Sequence, residues 1–267
     1  LTRKMERGIW TPASLTLVST ADSSIAEKHN PSDKACADFV EAILGFVYLS
    51  KGYAAARSVA DELQVTLVCS QIVQPPKAVE CVGHDELSKK VRETTGYSCF
   101  RDNNLLEQAF THRSKPSPKV SSYERLEWIG DAVICLSVRE WMYGEYPDDG
   151  PGDLSLKESI IVSNETLAFL CLRSNLHTFL EHRDITLPSR LESYKDSLAD
   201  GNGLWSTSPP KPVADIVESM IGAIHIDGGF EQGRTAALQV TLPVRVVLRE
   251  YKLFENEPVC HPRQELF

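Results

Sequence analysis

Residues 123–133 read Tyr-Glu-Arg-Leu-Glu-Trp-Ile-Gly-Asp-Ala-Val. Glu124, Glu127 and Asp131 stand three and four positions apart, spacings that place side chains on one face of a helix. At ~100° per residue the three acids share an arc of about 60°, while Leu126, Ile129, Val133 and Leu136 fall on roughly the opposite arc. The stretch is therefore expected to be a helix that buries one side and gathers negative charge on the other. Like charges at this spacing repel by a few tenths of a kcal/mol each. A cation that used them would remove that cost.

A second pair of acids supports the same chemistry. Lys211-Pro212-Val213-Ala214-Asp215-Ile216-Val217-Glu218 opens another apolar-periodic segment, with Asp215 and Glu218 one turn apart. Val213, Ile216, Val217, Met220, Ile221 and Ile224 cover its other side. Four acids, two from each helix, suit a hard cation. Magnesium prefers oxygen ligands and keeps some of its water, and it can activate a water and stabilise a phosphoryl oxygen in an in-line displacement. The plain alternative is a pair of solvated acidic faces, because acids at these spacings are common on helix surfaces.

Glu124 to Val133 resembles the signature of ribonuclease III, which cuts double-stranded RNA. Lys211 to Glu218, followed by Ser219-Met220-Ile221-Gly222-Ala223 and Asp227-Gly228-Gly229, resembles the family's second block. Leu105–Ser114 and Val162-Ser163-Asn164 fit as well, and all the elements occur in order across roughly residues 84–250. The resemblance implies that Glu127, Asp131, Asp215 and Glu218 bind the catalytic metal, magnesium with manganese as a substitute. It further implies that Lys211 supports the site and that Glu124, near a dimer interface, and Asn164 are auxiliary.

The chain also repeats itself. Lys34 to Gly45 aligns with the segment that starts at Lys211, and Gly52 aligns with Gly229. Asp38 and Glu41 again flank an apolar face, and the glycine suits a helix C-cap. Two such domains in one chain resemble the Dicer family, where the two pair within one polypeptide and each cuts one strand. Here the first copy is incomplete: Lys34, Asp38 and Glu41 lack a Glu-Arg-Leu-Glu partner in residues 1–33. We expect an all-α fold in four parts. Residues 1–66 are the C-terminal part of a first ribonuclease III domain, with the first ~33 residues poorly ordered, and 67–83 are a linker. Residues 84–255 are a complete second domain and 256–267 a tail. The expected parent is a larger Dicer-like protein of the fungal kind.

The resemblance implies a Dicer-like endoribonuclease that hydrolyses double-stranded RNA to small RNAs for silencing, antiviral or regulatory. The rival readings are an incompetent fragment or binding scaffold, and a helical metal enzyme for a small phosphorylated substrate. Trp128 stands where the family usually has a Phe that inserts into the partner domain. It implies pairing with the first domain in the parent, or a homodimer of the fragment, unless the ring is a plain core aromatic. The net charge of −9 argues against broad electrostatic binding of nucleic acid, but carboxylates that face metal ions do not exclude an RNA substrate.

Hydrophobic content of 42% and charged content of 24% are ordinary for a globular protein. No apolar run approaches ~18 residues, so no membrane span is expected. Seven scattered cysteines without a Cys-x-x-Cys pair favour free thiols, Cys135 and Cys171 buried, in a reducing cytoplasmic or nuclear setting. His112 is expected to be structural and His225 partly buried. Helices are expected over 36–49, 53–66, 85–93, 104–110, 123–143, 154–172, 174–180, 211–227 and 231–248. A turn is expected at 147–152 and an insertion or mobile loop at 183–210, and Pro243 is expected to end or kink the last helix.

Overall fold

The computed structural model describes residues 32–65, 86–98, 100–115, 120–200 and 207–250. The readings made for residues 1–31, for the 67–83 linker, for the 256–267 tail and for Cys69, Cys81, Cys99 and Cys260 lie outside these residues. Among the described residues all regular structure is helical. An isolated parallel bridge joins Thr111 to Glu181. The chain divides into two compact units, Leu1–Thr66 and Leu67–Phe267.

In the first unit, α1 (Asp33–Lys51) begins where the Ser32 hydroxyl accepts from the Ala35 amide at 3.2 Å, satisfying an amide that the helix leaves orphaned. Gly52, at φ 82°, ends it, and α2 (Tyr53–Glu62) follows directly. The second unit holds α3 (Glu86–Thr95), α4 (Asn103–Ala109), α5 (Glu124–Glu145), α6 (Pro151–Ile161) and α7 (Asn164–Arg173). A short 3₁₀ turn (Leu176–Phe179), α8 (Leu187–Ala199), α9 (Lys211–Gly228) and α10 (Phe230–Glu250) complete it.

The internal repeat is structural. Helix α9 ends at Gly229 with φ 87° and ψ 176°, matching Gly52 at φ 82° and ψ 177°, and α10 follows as α2 does. Few residues other than glycine tolerate that backbone. Lys34 donates to Asp38 at 2.7 Å, and Lys211 donates to Asp215 at the same distance.

Helix α9 is the centre of the second unit, with α5, α7, α10 and α4 packed around it. Every residue from Pro212 to Ile224 is buried, so α9 has no solvated face. Burying Ile216, Met220, Ile221 and Ile224 contributes about 1.5–3 kcal/mol each. The acids on it are therefore not surface acids. Helices α5 and α9 meet backbone to backbone. A Cβ on Gly130 would lie 1.8 Å from the Glu218 carbonyl oxygen, and one on Gly222 would lie 2.0 Å from that of Leu126. Only glycine at both positions permits this approach. At the far end of α9, buried Asp227 accepts from the Tyr97 hydroxyl at 2.6 Å and from the Arg101 and Asp102 amides, pinning the 97–102 segment.

Two local expectations are corrected and a third is narrowed. The helix expected over 154–172 is two, because the Ser163 hydroxyl accepts from the Thr166 amide at 3.2 Å and caps a new start. The 183–210 segment is not a plain loop: Leu187, Leu191, Tyr194 and Leu198 recur at spacings of four, three and four, and α8 packs that stripe on the core. Pro243 does not end the last helix, since α10 runs through it. The Arg245 guanidinium donates to the Leu238 carbonyl at 2.6 Å, near where the proline removes an amide donor.

Candidate metal centre

The glycine crossing brings the N-terminal part of α5 against the middle of α9. Glu127, Asp215 and Glu218 each offer a carboxylate oxygen, and the three oxygens lie within 4.8 Å of one another. The Lys211 ammonium donates to Glu127 Oε1 at 2.5 Å and to Asp215 Oδ1 at 2.7 Å. One cation thus already bridges the two helices. Asp215 Oδ2 accepts from the Tyr123 hydroxyl at 2.9 Å.

The electrostatics are those of a site with excess negative charge. Burial pushes Glu218 from 4.5 up to about 8, helped by Asp215, Asp131 and Glu127, and Lys211 offsets only part of this. Burial also raises Asp215, despite its bonds from Lys211 and Tyr123. Burial works to lower Lys211, but its bonds to Asp215 and Glu127 outweigh that and raise it. Burial and the Asp215 charge hold the Tyr123 hydroxyl protonated far above its usual range. A cluster of hard oxygen donors with uncompensated charge fits a divalent cation such as magnesium. The residues present would hold it through Glu127, Asp215 and Glu218.

The other expected site residues fall at different distances from this cluster. Asp131 is exposed, lies outside the three-oxygen group and accepts from the Cys135 thiol at 3.5 Å. Its charge nevertheless reaches Glu218. Glu124 is exposed at the start of α5, where it accepts from Ser122 at 3.0 Å and faces Arg113 at 3.6 Å. Asn164 is exposed at the first position of α7, outside the cluster. In the first unit, Lys34 and Asp38 pair while Glu41 stays exposed. Trp128 is 78% exposed, so it is not a core aromatic. His112 is buried and held through Nδ1 by Ser114, and His225 is partly buried. Cys171 is buried, Cys135 only half-buried, and both are free thiols.

Two features were missed in the sequence. Tyr123 precedes the signature acids, four residues before Glu127, and that spacing was its only signal. The Gly130–Gly222 crossing carries no local signal, because each glycine is explained only by the helix opposite it.

Residues 124–229 match the family model for the ribonuclease III domain. The chain belongs to the ribonuclease III family. Its relatives include Dicer-like protein 1 of Aspergillus niger, 30% identical over 85% of this chain and 17% of that protein. Endoribonuclease Dicer homolog 1 of Arabidopsis thaliana is 31% identical over 88% of this chain and 13% of that protein. Protein Dicer of Schizosaccharomyces pombe is 27% identical over 91% of this chain and 19% of that protein. The chain thus spans less than a fifth of the length of each of these relatives. Among solved structures, the nuclease domain of ribonuclease III from Campylobacter jejuni is 30% identical, covering 58% of this chain and 96% of that one, at a TM-score of 0.45. The matched ribonuclease III domain begins at Glu124 and ends at Gly229, so it contains the whole carboxylate cluster.

Proposed function

We propose that the second unit is the catalytic domain of a Dicer-like endoribonuclease that hydrolyses double-stranded RNA to give small RNAs for silencing. The observation that carries this reading is the cluster of Glu127, Asp215 and Glu218 inside a ribonuclease III domain. Glu127, Asp131, Asp215 and Glu218 would hold magnesium, for which manganese can substitute. When bound, the cation polarises water and a phosphoryl oxygen for in-line displacement, giving 5′-phosphate and 3′-hydroxyl ends. Lys211 holds Glu127 and Asp215 in register across the two helices. Selectivity for RNA comes from A-form shape and 2′-hydroxyl contacts rather than base reading.

Residues 1–66 are read as the C-terminal part of a first such domain and residues 84–255 as the second. The matched Lys34–Asp38 and Lys211–Asp215 bonds and the matched Gly52 and Gly229 conformations support this. Trp128, Glu124 and the exposed face around them serve pairing, with the first domain in the parent or with a second copy for this chain. No helix among the described residues is long and apolar enough to cross a membrane, and the free thiols suit a reducing compartment.

The test is Glu218→Gln in the full-length parent, with duplex RNA labelled on each strand. Cleavage of the strand assigned to this domain should stop in magnesium while the other strand is still cut. Continued cleavage of both strands at the unmodified rate overturns the assignment.

A further inference from the structure

Tyr123 ties both ligand-bearing helices to one buried ring. Its carbonyl accepts from the Glu127 amide at 2.9 Å, and its hydroxyl donates to Asp215 Oδ2 at 2.9 Å, 92 residues along the chain. The residue is 3% exposed. Its amide donates to the Thr111 carbonyl at 2.9 Å, and its ring lies 5.7 Å from that of His112. The His112 amide in turn donates to the Glu181 carbonyl at 2.9 Å. The backbone and ring that carry the hydroxyl are therefore fixed, and the hydroxyl has one bond, to Oδ2.

This engages one of the two Asp215 oxygens in a hydrogen bond that a metal ion binding there would have to compete with. The other, Oδ1, already meets a positive charge, that of Lys211 at 2.7 Å. Cations differ in what they ask of a carboxylate. Magnesium takes one oxygen per carboxylate in a near-ideal octahedron and keeps several waters, whereas calcium takes six to eight oxygens and accepts carboxylates through both. We infer that Tyr123 is a positioning residue that holds Asp215 to one-oxygen ligation and so selects magnesium over calcium. This rests on the reading of Asp215 as a metal ligand.

The experiment titrates the metal-free 267-residue chain calorimetrically with magnesium chloride alone and with calcium chloride alone. The unmodified chain is compared with Tyr123→Phe and Asp215→Asn. Asp215→Asn should abolish binding of both ions at this site. Tyr123→Phe keeps the ring and removes only the donor. It should raise calcium affinity relative to magnesium by about tenfold, the scale of one hydrogen bond to a charged group, while its melting temperature in EDTA falls modestly because the buried bond to Asp215 is lost. A purely structural role for Tyr123 would shift melting and leave the ratio of the two affinities alone. If the phenylalanine chain fails to fold, 4-fluorophenylalanine at 123 fills the hydroxyl's place without donating and gives the same readout. An unchanged ratio, with Asp215→Asn abolishing binding, overturns the role of Tyr123 alone. Unchanged binding in Asp215→Asn overturns the metal reading together with it.

Discussion

Replacing Glu218 with glutamine is expected to stabilise the metal-free protein near neutral pH while removing cation binding. In the folded protein Glu218 is pushed from 4.5 to about 8 by burial and by Asp215, Asp131 and Glu127. Between those two values the folded state keeps a proton that the unfolded chain has released. The folded state then binds more protons, so this group's contribution to stability falls as pH rises from 4.5 to about 8. Below 4.5 the side chain is protonated in both states and costs nothing. At pH 7 the chain is 2.5 pH units above 4.5, which corresponds to about 3 kcal/mol of lost stability.

Glutamine keeps the shape of the side chain and does not ionise, so it removes that cost. The metal-free Glu218→Gln protein should be more stable by about 3 kcal/mol at pH 7, a rise in melting temperature of roughly 6–12 °C for a domain of this size. The gain should vanish by pH 4.5. Urea denaturation in EDTA across pH 4.5 to 8 measures it. Added magnesium should then stabilise the unmodified protein by mass action and leave the variant unchanged. A variant less stable at pH 7, or a gain equally large at pH 4.5, would refute the reasoning, because the cost of keeping Glu218 protonated in the folded protein could not be its source.

Gly130→Ala should cost about 3 kcal/mol or more in denaturation, since its Cβ would lie 1.8 Å from the Glu218 carbonyl oxygen. The same change should weaken magnesium binding in a calorimetric titration by separating Glu127 from Asp215. Asp227→Asn places an amide against three donors from Tyr97, Arg101 and Asp102, and the melting temperature should fall by an amount equivalent to about 2–3 kcal/mol. Trp128→Ala should change stability by no more than about 0.5 kcal/mol, as expected for an exposed side chain. In the full-length parent it should instead lower duplex cleavage, measured at fixed magnesium, if the indole serves domain pairing.

The long periodic segments were legible because helix formation and capping depend on neighbours within one turn. The signature helix, expected over 123–143, is α5 from Glu124 to Glu145, and Gly52 and Gly229 end their helices as their spacing implied. Composition misled at 183–210, where Ser, Asp, Gly and Pro obscured the Leu187–Leu191–Tyr194–Leu198 stripe. An unbroken apolar run through Ile160, Ile161 and Val162 hid the Ser163 cap. The cluster was legible in part: three of the four expected acids converge, and Asp131 stays exposed beside them.

The sequence was enough to mark most of the helices, the acids that share a face and the match between the Lys34 and Lys211 segments. These properties are set by residues a few positions apart. Only the tertiary structure decided that α9 is buried on every side, which turns Asp215 and Glu218 from surface acids into strained ones. It alone decided that Gly130 and Gly222 let two backbones touch, and that the Tyr123 hydroxyl reaches Asp215. Burial, close approach and carboxylate orientation come from groups about 90 residues apart, and no local pattern records which of them will meet.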